Sequence, residues 1–200
     1  RCSILVDSQA DLLVFGMGER QIVEIAAALD SGFPVDAVRE VRGTCYVADE
    51  VDHLDSFVEL PSWEAISSDK KAFAEAFRLI SLEQDPIRGK ALVQRYGRRF
   101  LVQLPPASPL TEAMMDEVYD LPYAREWHPM YEAAGGVPAL AEVKFSVTSH
   151  RGCFGSCAFC AIHAHQGRIV QARSHDSILR EVERLTRMKG FKGYVHDIGG

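Results

Sequence analysis

Residues 150 to 163 read His-Arg-Gly-Cys-Phe-Gly-Ser-Cys-Ala-Phe-Cys-Ala-Ile-His. Three of the five cysteines, Cys153, Cys157 and Cys160, therefore fall within eight residues, spaced C-x3-C-x2-C. An apolar, strand-like run precedes them (Val143 to Thr148), and a helical pattern follows from about Ser174. The spacing predicts a strand-to-helix loop in which three thiols can converge on one point. Convergent thiolates hold soft metals or iron–sulfur clusters. Three thiols, rather than four, leave one iron of a cubane cluster without a protein ligand. An open iron can bind substrate, so the pattern points to chemistry more than to electron storage.

A second class of reading uses the same residues. Three cysteines with His150, His163 or His165 make a structural Cys3His zinc site. The chain is then a zinc-stabilised module without catalysis, structural or binding RNA through its basic segment. That segment lacks the interleaved aromatic and basic residues of a nucleic-acid platform. A disulfide framework fits poorly, because the chain is long, cysteine-poor outside this loop and without a secretory leader pattern.

The cysteine loop resembles the signature of the radical S-adenosylmethionine (SAM) superfamily. Val147-Thr148-Ser149-His150-Arg151-Gly152-Cys153, Ala161-Ile162 and His165-Gln166-Gly167-Arg168 are similar to the YgiQ-type radical SAM proteins, the UPF0313 family. So are Gly16-Met17-Gly18-Glu19-Arg20-Gln21, Val41-Arg42-Gly43-Thr44, Gln103-Leu104-Pro105-Pro106, Leu121-Pro122-Tyr123-Ala124-Arg125 and His196-Asp197-Ile198-Gly199-Gly200. The resemblance covers nearly the whole chain. It implies that Cys153, Cys157 and Cys160 ligate a 4Fe-4S cluster whose fourth iron chelates SAM. It implies reductive cleavage of SAM to a 5′-deoxyadenosyl radical that takes a hydrogen atom from an unknown substrate. The cofactors it implies are the 4Fe-4S cluster and SAM, with an electron donor such as flavodoxin or ferredoxin. Phe159 is expected near the adenine, and Gly199 and Gly200 at the SAM amino group. Arg151, His163, His165 and Arg168 are read either as groups around the cluster or, the stronger reading for any one of them, as groups that stabilise the loop, and no side chain is assigned a catalytic role.

The fold class expected is α/β: a Rossmann-like, cobalamin-binding-type strand–helix unit followed by the start of a radical SAM partial TIM barrel. Residues 1–59 are read as the C-terminal part of a Rossmann-like domain. Residues 60–140 are read as an interdomain helical and hairpin region, and 141–200 as the first βαβ unit of the barrel. The cobalt-ligating D-x-H-x-x-G motif is absent from the sequence, so no cobalamin is expected. The chain starts on Arg1 and stops directly after a strand-like run. Only one helix and two strands of a barrel fit after residue 142, so an internal piece of a longer protein is expected.

Composition is ordinary for a globular chain of 200 residues, 47% hydrophobic and 25% charged. No apolar run approaches the roughly 20 residues of a membrane span. Free cysteines suit a reducing compartment, which places the chain in the cytoplasm. The net charge of −6 is uneven: residues 144–192 hold nine Lys or Arg against three acids. A positive segment around the cysteines favours an anionic cluster or substrate, while Arg180, Arg184 and Arg187 read as a solvated helix face.

Along the chain, residues 11–16 read as a buried strand and Glu19 to Asp30 as a helix with Ile22, Ile25, Ala26 and Leu29 in helical register. Gly16 and Gly18 would admit a phosphate to that helix's N-terminus, but a lone G-x-G is weak evidence. Ala37 to Val47 reads as two short strands about Gly43. Cys45 reads as a small buried hydrophobe. Asp69 to Leu82 reads as a helix carrying Phe73, Phe77 and Ile80, and the runs flanking Tyr96-Gly97 as a hairpin. Thr111 caps a short helix. Arg125, Trp127, His128 and Tyr131 either line a cleft or pack against the barrel mouth. Glu142 to Thr148 is expected to be the first barrel strand, with Val143, Phe145 and Val147 on one face. Ser174 is expected to cap a helix burying Ile178, Val182 and Leu185. Gly193 to Ile198 is expected to be a neighbouring parallel strand reached by a right-handed crossover, with either His196 or Asp197 facing the cofactor or the core.

Overall fold

A computed structural model describes residues 2–155 and 157–199. The chain divides into two compact units. The first comprises Arg1–Pro109 and Gly155–Arg168, the second Leu110–Phe154 and Ile169–Gly200. Gly200, expected to bind SAM, lies outside the described residues. Among the described residues no helix is long and apolar enough to cross a membrane.

The first unit runs α1 (Ile4–Ser8), β1 (Leu12–Val14), α2 (Glu19–Asp30), β2 (Thr44–Ala48), β3 (Phe57–Leu60), α3 (Trp63–Ser68), α4 (Lys70–Leu82), β4 (Ala91–Tyr96) and β5 (Arg99–Gln103). Its five strands form one sheet in the order β1-β2-β5-β4-β3. Only β3 and β4 are parallel; β1–β2, β2–β5 and β5–β4 are antiparallel. A Rossmann-like unit needs its strands parallel, and here β1 and β2 run in opposite directions on either side of α2. The sheet also joins strands from both sides of the boundary expected at residue 59. Tyr46, Ala48, Val93 and Val102 pack with Leu12, Phe57 and Phe100 as its core, each fully buried aliphatic contributing about 1.5–3 kcal/mol.

Local chemistry explains the elements. Gly97 supplies the positive φ at the first position of a two-residue turn, and Tyr96 pairs with Arg99 across it. Ser62 caps α3 by accepting from Ala65 N–H, and Asp69 caps α4 by accepting from Lys71 N–H. Residues 38–43 do not form the second strand expected there, and a 3-10 turn at Val35–Ala37 precedes β2. The buried side of α2 is Gln21, with Ile25 and Ala28 half-buried, while Ile22 and Leu29 are exposed. On α4, Ala76 faces inward, leaving Phe73 and Phe77 exposed. A small residue at that position allows the helix to approach its neighbours α3 and β3 closely.

The second unit holds α5 (Glu112–Asp120), α6 (Leu140–Val143), β6 (Ser146–Thr148) and β7 (His150–Arg151). After α7 (Ile162–His165), which belongs to the first unit, it continues with β8 (Gln171–Ala172), α8 (His175–Thr186) and β9 (Asp197–Gly199). Strands β6 and β9 pair in parallel, as expected, Ser146 with Asp197 and Thr148 with Gly199, but the second strand covers Asp197–Gly199 rather than the expected Gly193 to Ile198. The strand expected over Glu142–Thr148 is shorter: Leu140–Val143 is helical and Val143 is exposed, so only Val147 is fully buried. Thr111 caps α5 and Ser174 caps α8, as their sequences predict. Within α8 the fully buried positions are Ser177, Glu181 and Leu185, not the Ile178 and Val182 of the apolar stripe.

Gly43 sits in a tight turn of the first unit. Its N–H donates to Pro105 O at 2.8 Å and its O accepts from Phe15 N–H at 2.9 Å. Its φ is +78°, and a Cβ there would lie 2.5 Å from Gln21 Nε2. Gly43→Ala is expected to lower unfolding stability by about 1–3 kcal/mol, read from urea denaturation; an unchanged midpoint would show that the turn relaxes freely.

Candidate functional site

The chain leaves β6 at Thr148, and Ser149 N–H donates to Gly199 O at 2.7 Å, carrying the ladder one residue past the strand. His150 and Arg151 of β7 then pair antiparallel with Ala172 and Gln171 of β8. Residues 152–170 are thus a loop closed at its stem by a two-residue clamp.

A buried arginine holds that stem. Arg173 is 3% exposed. Its N–H donates to Ser149 O at 3.0 Å. Its Nη1 donates to Thr148 O at 2.8 Å and to Glu181, and its Nη2 donates to Ser177 O at 3.1 Å and Ser177 Oγ at 2.9 Å. The other Glu181 oxygen pairs with Arg125. Arg173 Cζ lies 4.3 Å from the Tyr119 ring centroid, a cation–π contact. Tyr119 Oη accepts from Arg151 Nε at 3.0 Å. Burial pulls the pKa of Arg173, and also that of Arg125, below the ordinary arginine value. Asp116 of α5 accepts from Ser174 N–H at 2.9 Å and Ser174 Oγ at 2.5 Å, fixing the cap of α8.

The remaining sequence candidates separate. Arg151 is buried in this network, which gives it a structural role. Trp127 packs its ring against Gly136, and His128 Nδ1 accepts from Met130 N–H as a helix cap. With Arg125 bound to Glu181, three of the four residues considered for a cleft have packing or capping roles; Tyr131 stays exposed. Arg180 and Arg184 pair with Asp120 on an exposed face. His196 donates from Nδ1 to Glu142 O and does not lie at the Gly199 end of its strand. Gly16 has a φ of +73°, and a Cβ there would meet His165 O at 3.4 Å. A Cβ on Gly18 would lie 2.9 Å from Val14. Both glycines of the G-x-G therefore have steric reasons to be there.

All five cysteines are free thiols. Burial pushes the Cys45 thiol up to about 12, which keeps it protonated and inert. Cys153 is half-buried and follows Gly152, whose φ is +83°. Cys157 is exposed, and Cys160, half-buried, donates its N–H to Cys157 O at 3.1 Å in a tight turn ahead of α7, which carries His163 and His165. Arg168 follows Gly167, whose φ is +90°. Phe154 and Phe159 are 85% and 92% exposed, large apolar rings facing solvent within the loop. Cys153 belongs to the second unit, and Cys157 and Cys160 belong to the first. Among the described residues no three His, Cys, Asp or Glu side chains are gathered as for a metal ion. By donor chemistry the loop fits a thiolate-bound group: three free thiols, none in a disulfide and one open to solvent.

Sequence reading found the cysteines but missed Tyr119, Asp116, Arg173 and Glu181. Glu181→Gln is expected to cost about 3–5 kcal/mol in urea unfolding, because two buried guanidinium groups lose their shared charge. Glu183→Gln, exposed on the same helix, is expected to stay within about 0.5 kcal/mol. Partial desolvation works against the Asp116 carboxylate, but the hydroxyl and N–H of Ser174 hold it below the usual range. Arg180 and Arg184 do the same for Asp120. A depressed folded-state pKa gives stability present above the unfolded value and lost as pH falls through the folded one. Stability is therefore expected to decline below about pH 4; Asp116→Asn should flatten that decline, as measured by unfolding at stepped pH.

The profile of the radical SAM N-terminal family matches residues 1–146, ending where β6 begins. A UPF0313 protein of Clostridium botulinum (strain ATCC 19397 / Type A) is 56% identical over 200 residues, covering 100% of this chain and 31% of its own length. UPF0313 proteins of Methanocella arvoryzae and Clostridium perfringens are 53% and 52% identical, again over 100% of this chain and over 33% and 30% of their own lengths. The chain thus spans about a third of the length of the curated relatives it matches. With a profile covering most of its length, the chain belongs to the radical SAM N-terminal family, among the UPF0313 proteins.

Proposed function

We propose that the full protein is a radical SAM enzyme and that this chain supplies the three cluster ligands, Cys153, Cys157 and Cys160. The observation that carries the reading is the loop of three free thiols leaving the C-terminal end of β6, within a chain of this family. Barrel enzymes place active sites at that end of their strands, and β6, α8 and β9 are read as the first βαβ unit of such a barrel. With a 4Fe-4S cluster and SAM bound, the chemistry supplied is one-electron reductive opening of the sulfonium, giving methionine and a 5′-deoxyadenosyl radical. The electron comes from a donor of flavodoxin or ferredoxin type, in a reducing compartment, and the substrate is unassigned.

The chain's own residues have narrower tasks. The thiolates hold the iron, and Gly152, at positive φ, turns the backbone into the loop. The β7–β8 clamp and Arg173 hold the stem. Gly199, with no side chain at the end of β9, would let the amino group of SAM approach the backbone there. Phe159, exposed in the loop, would pack near the adenine of bound SAM.

Anaerobic iron and sulfide reconstitution of the full-length protein is expected to load roughly four irons per chain. Cys157→Ala is expected to abolish loading, and SAM is expected to release 5′-deoxyadenosine only from the loaded protein. One zinc per chain, with no iron uptake and no SAM cleavage, would replace this reading with a structural zinc module.

A further inference from the structure

The β6–β9 pair has two unlike faces. Strand side chains alternate, and the register sets Ser146 beside Asp197, Val147 beside Ile198 and Thr148 beside Gly199. One face carries Val147, which is fully buried, and α8 is the helix packed on β6. Phe145 and His196 share that face by alternation. Their rings meet edge-on at 6.0 Å, and Phe145 meets Phe191 at 5.5 Å. The opposite face carries Ser146, Thr148, Asp197 and Gly199: two hydroxyls, one carboxylate and no Val, Ile or Leu. Of His196 and Asp197, it is therefore Asp197 that turns away from the packed side.

In a βα barrel the face away from the helices is the interior, which bulky aliphatic side chains ordinarily fill. A polar stretch there suits a ligand better than a core. Its one charge is Asp197, exposed and with no ion pair or hydrogen bond to its carboxylate among the described residues. A carboxylate enclosed in such an interior needs a cation. This one leans toward the C-terminal end of β9. A Cβ added to Gly199 would lie 3.4 Å from Asp197 Oδ2 and 3.6 Å from Oδ1. Gly199 O already accepts from Ser149 N–H at 2.7 Å. A donor that approaches Gly199 from this side thus meets a carboxylate with both oxygens unused.

We propose that Asp197 binds the α-ammonium of SAM and is the counter-charge that sets the methionine end of the cofactor over β9. The inference rests on the radical SAM reading above. A carboxylate and an ammonium in contact make a charge-assisted hydrogen bond, about twice as strong as a neutral one. Ser146 and Thr148 keep the rest of the face polar without a competing cation.

The test is anaerobic isothermal titration of the reconstituted full-length protein, without reductant so that SAM stays intact. Asp197→Asn is expected to keep roughly four irons per chain and to bind SAM at least about tenfold more weakly. The SAM analogue in which hydrogen replaces the amino group is expected to bind the wild type at least about tenfold more weakly than SAM does. That analogue should bind wild type and Asp197→Asn within about twofold of each other, because the lost contact is the same one. SAM bound equally by wild type and Asp197→Asn overturns the proposal. So does equal weakening of SAM and the analogue, which places Asp197 away from the ammonium, or loss of iron from Asp197→Asn, which gives it a structural role. A wild-type protein that takes up no iron or binds no SAM overturns instead the radical SAM reading, and this inference with it.

Discussion

A guanidinium that is almost fully buried has to find in protein the partners it gave up in water. Arg173 does so: every nitrogen of the group donates, to a strand carbonyl, a serine hydroxyl and carbonyl, and a carboxylate. Desolvating a charge costs several kcal/mol, and only good geometry with full hydrogen bonding offsets that cost. The partners cannot drift without leaving a buried charge unpaired. Thr148 at the end of β6, Ser177 and Glu181 on α8, and Tyr119 on α5 are therefore held in one arrangement. Glu181 carries a second constraint, since it also binds Arg125, whose φ of +50° is unusual for a non-glycine residue. Two cations on one carboxylate leave a net positive charge, and one of them, Arg173, lies against the face of the Tyr119 ring.

The loop stem depends on this arrangement. A two-residue antiparallel clamp such as β7–β8 is too short to be stable by itself, and closing a long loop adds an entropic cost. The clamp is extended on both sides. Ser149 uses its N–H on Gly199 and its O on Arg173 N–H, and Arg151 is fixed on Tyr119. The chain thus enters and leaves the thiol segment through backbone with its hydrogen bonds made, while the segment itself keeps its rings and one thiol exposed.

What was legible in the sequence was local. Ser62, Asp69, Thr111 and Ser174 cap the helices that follow them because the cap bond spans only two or three residues. The hairpin at Gly97 and the span of α2 were legible for the same reason. Strand direction was not: nothing between Val14 and Thr44 encodes that β1 and β2 run antiparallel, so the strand–glycine–helix pattern looked Rossmann-like. The apolar stripe misled on α2, because Gln21 is drawn inward against Gly43 while Ile22 faces solvent. On α8 it held for Leu185 but not for Ile178 and Val182, because a serine and a glutamate bound to Arg173 take the other buried positions. The cysteines stood out by spacing. The arginine network did not, because Tyr119 and Asp116 lie in a different helix, far from Arg173 in sequence.

The β6–β9 pair is a short piece of sheet held at both ends. Each strand has three residues, and parallel pairing of that length contributes little by itself. It is supported from both ends. At Thr148 the support is the Arg173 guanidinium; at Phe145 it is the aromatic cluster of Phe145, Phe191 and His196. Val147, fully buried between them, leaves no slack for one end to move without the other. On so short a pair, the hydrogen bond from Arg173 to Thr148 O is a large share of what holds the β6 end in place.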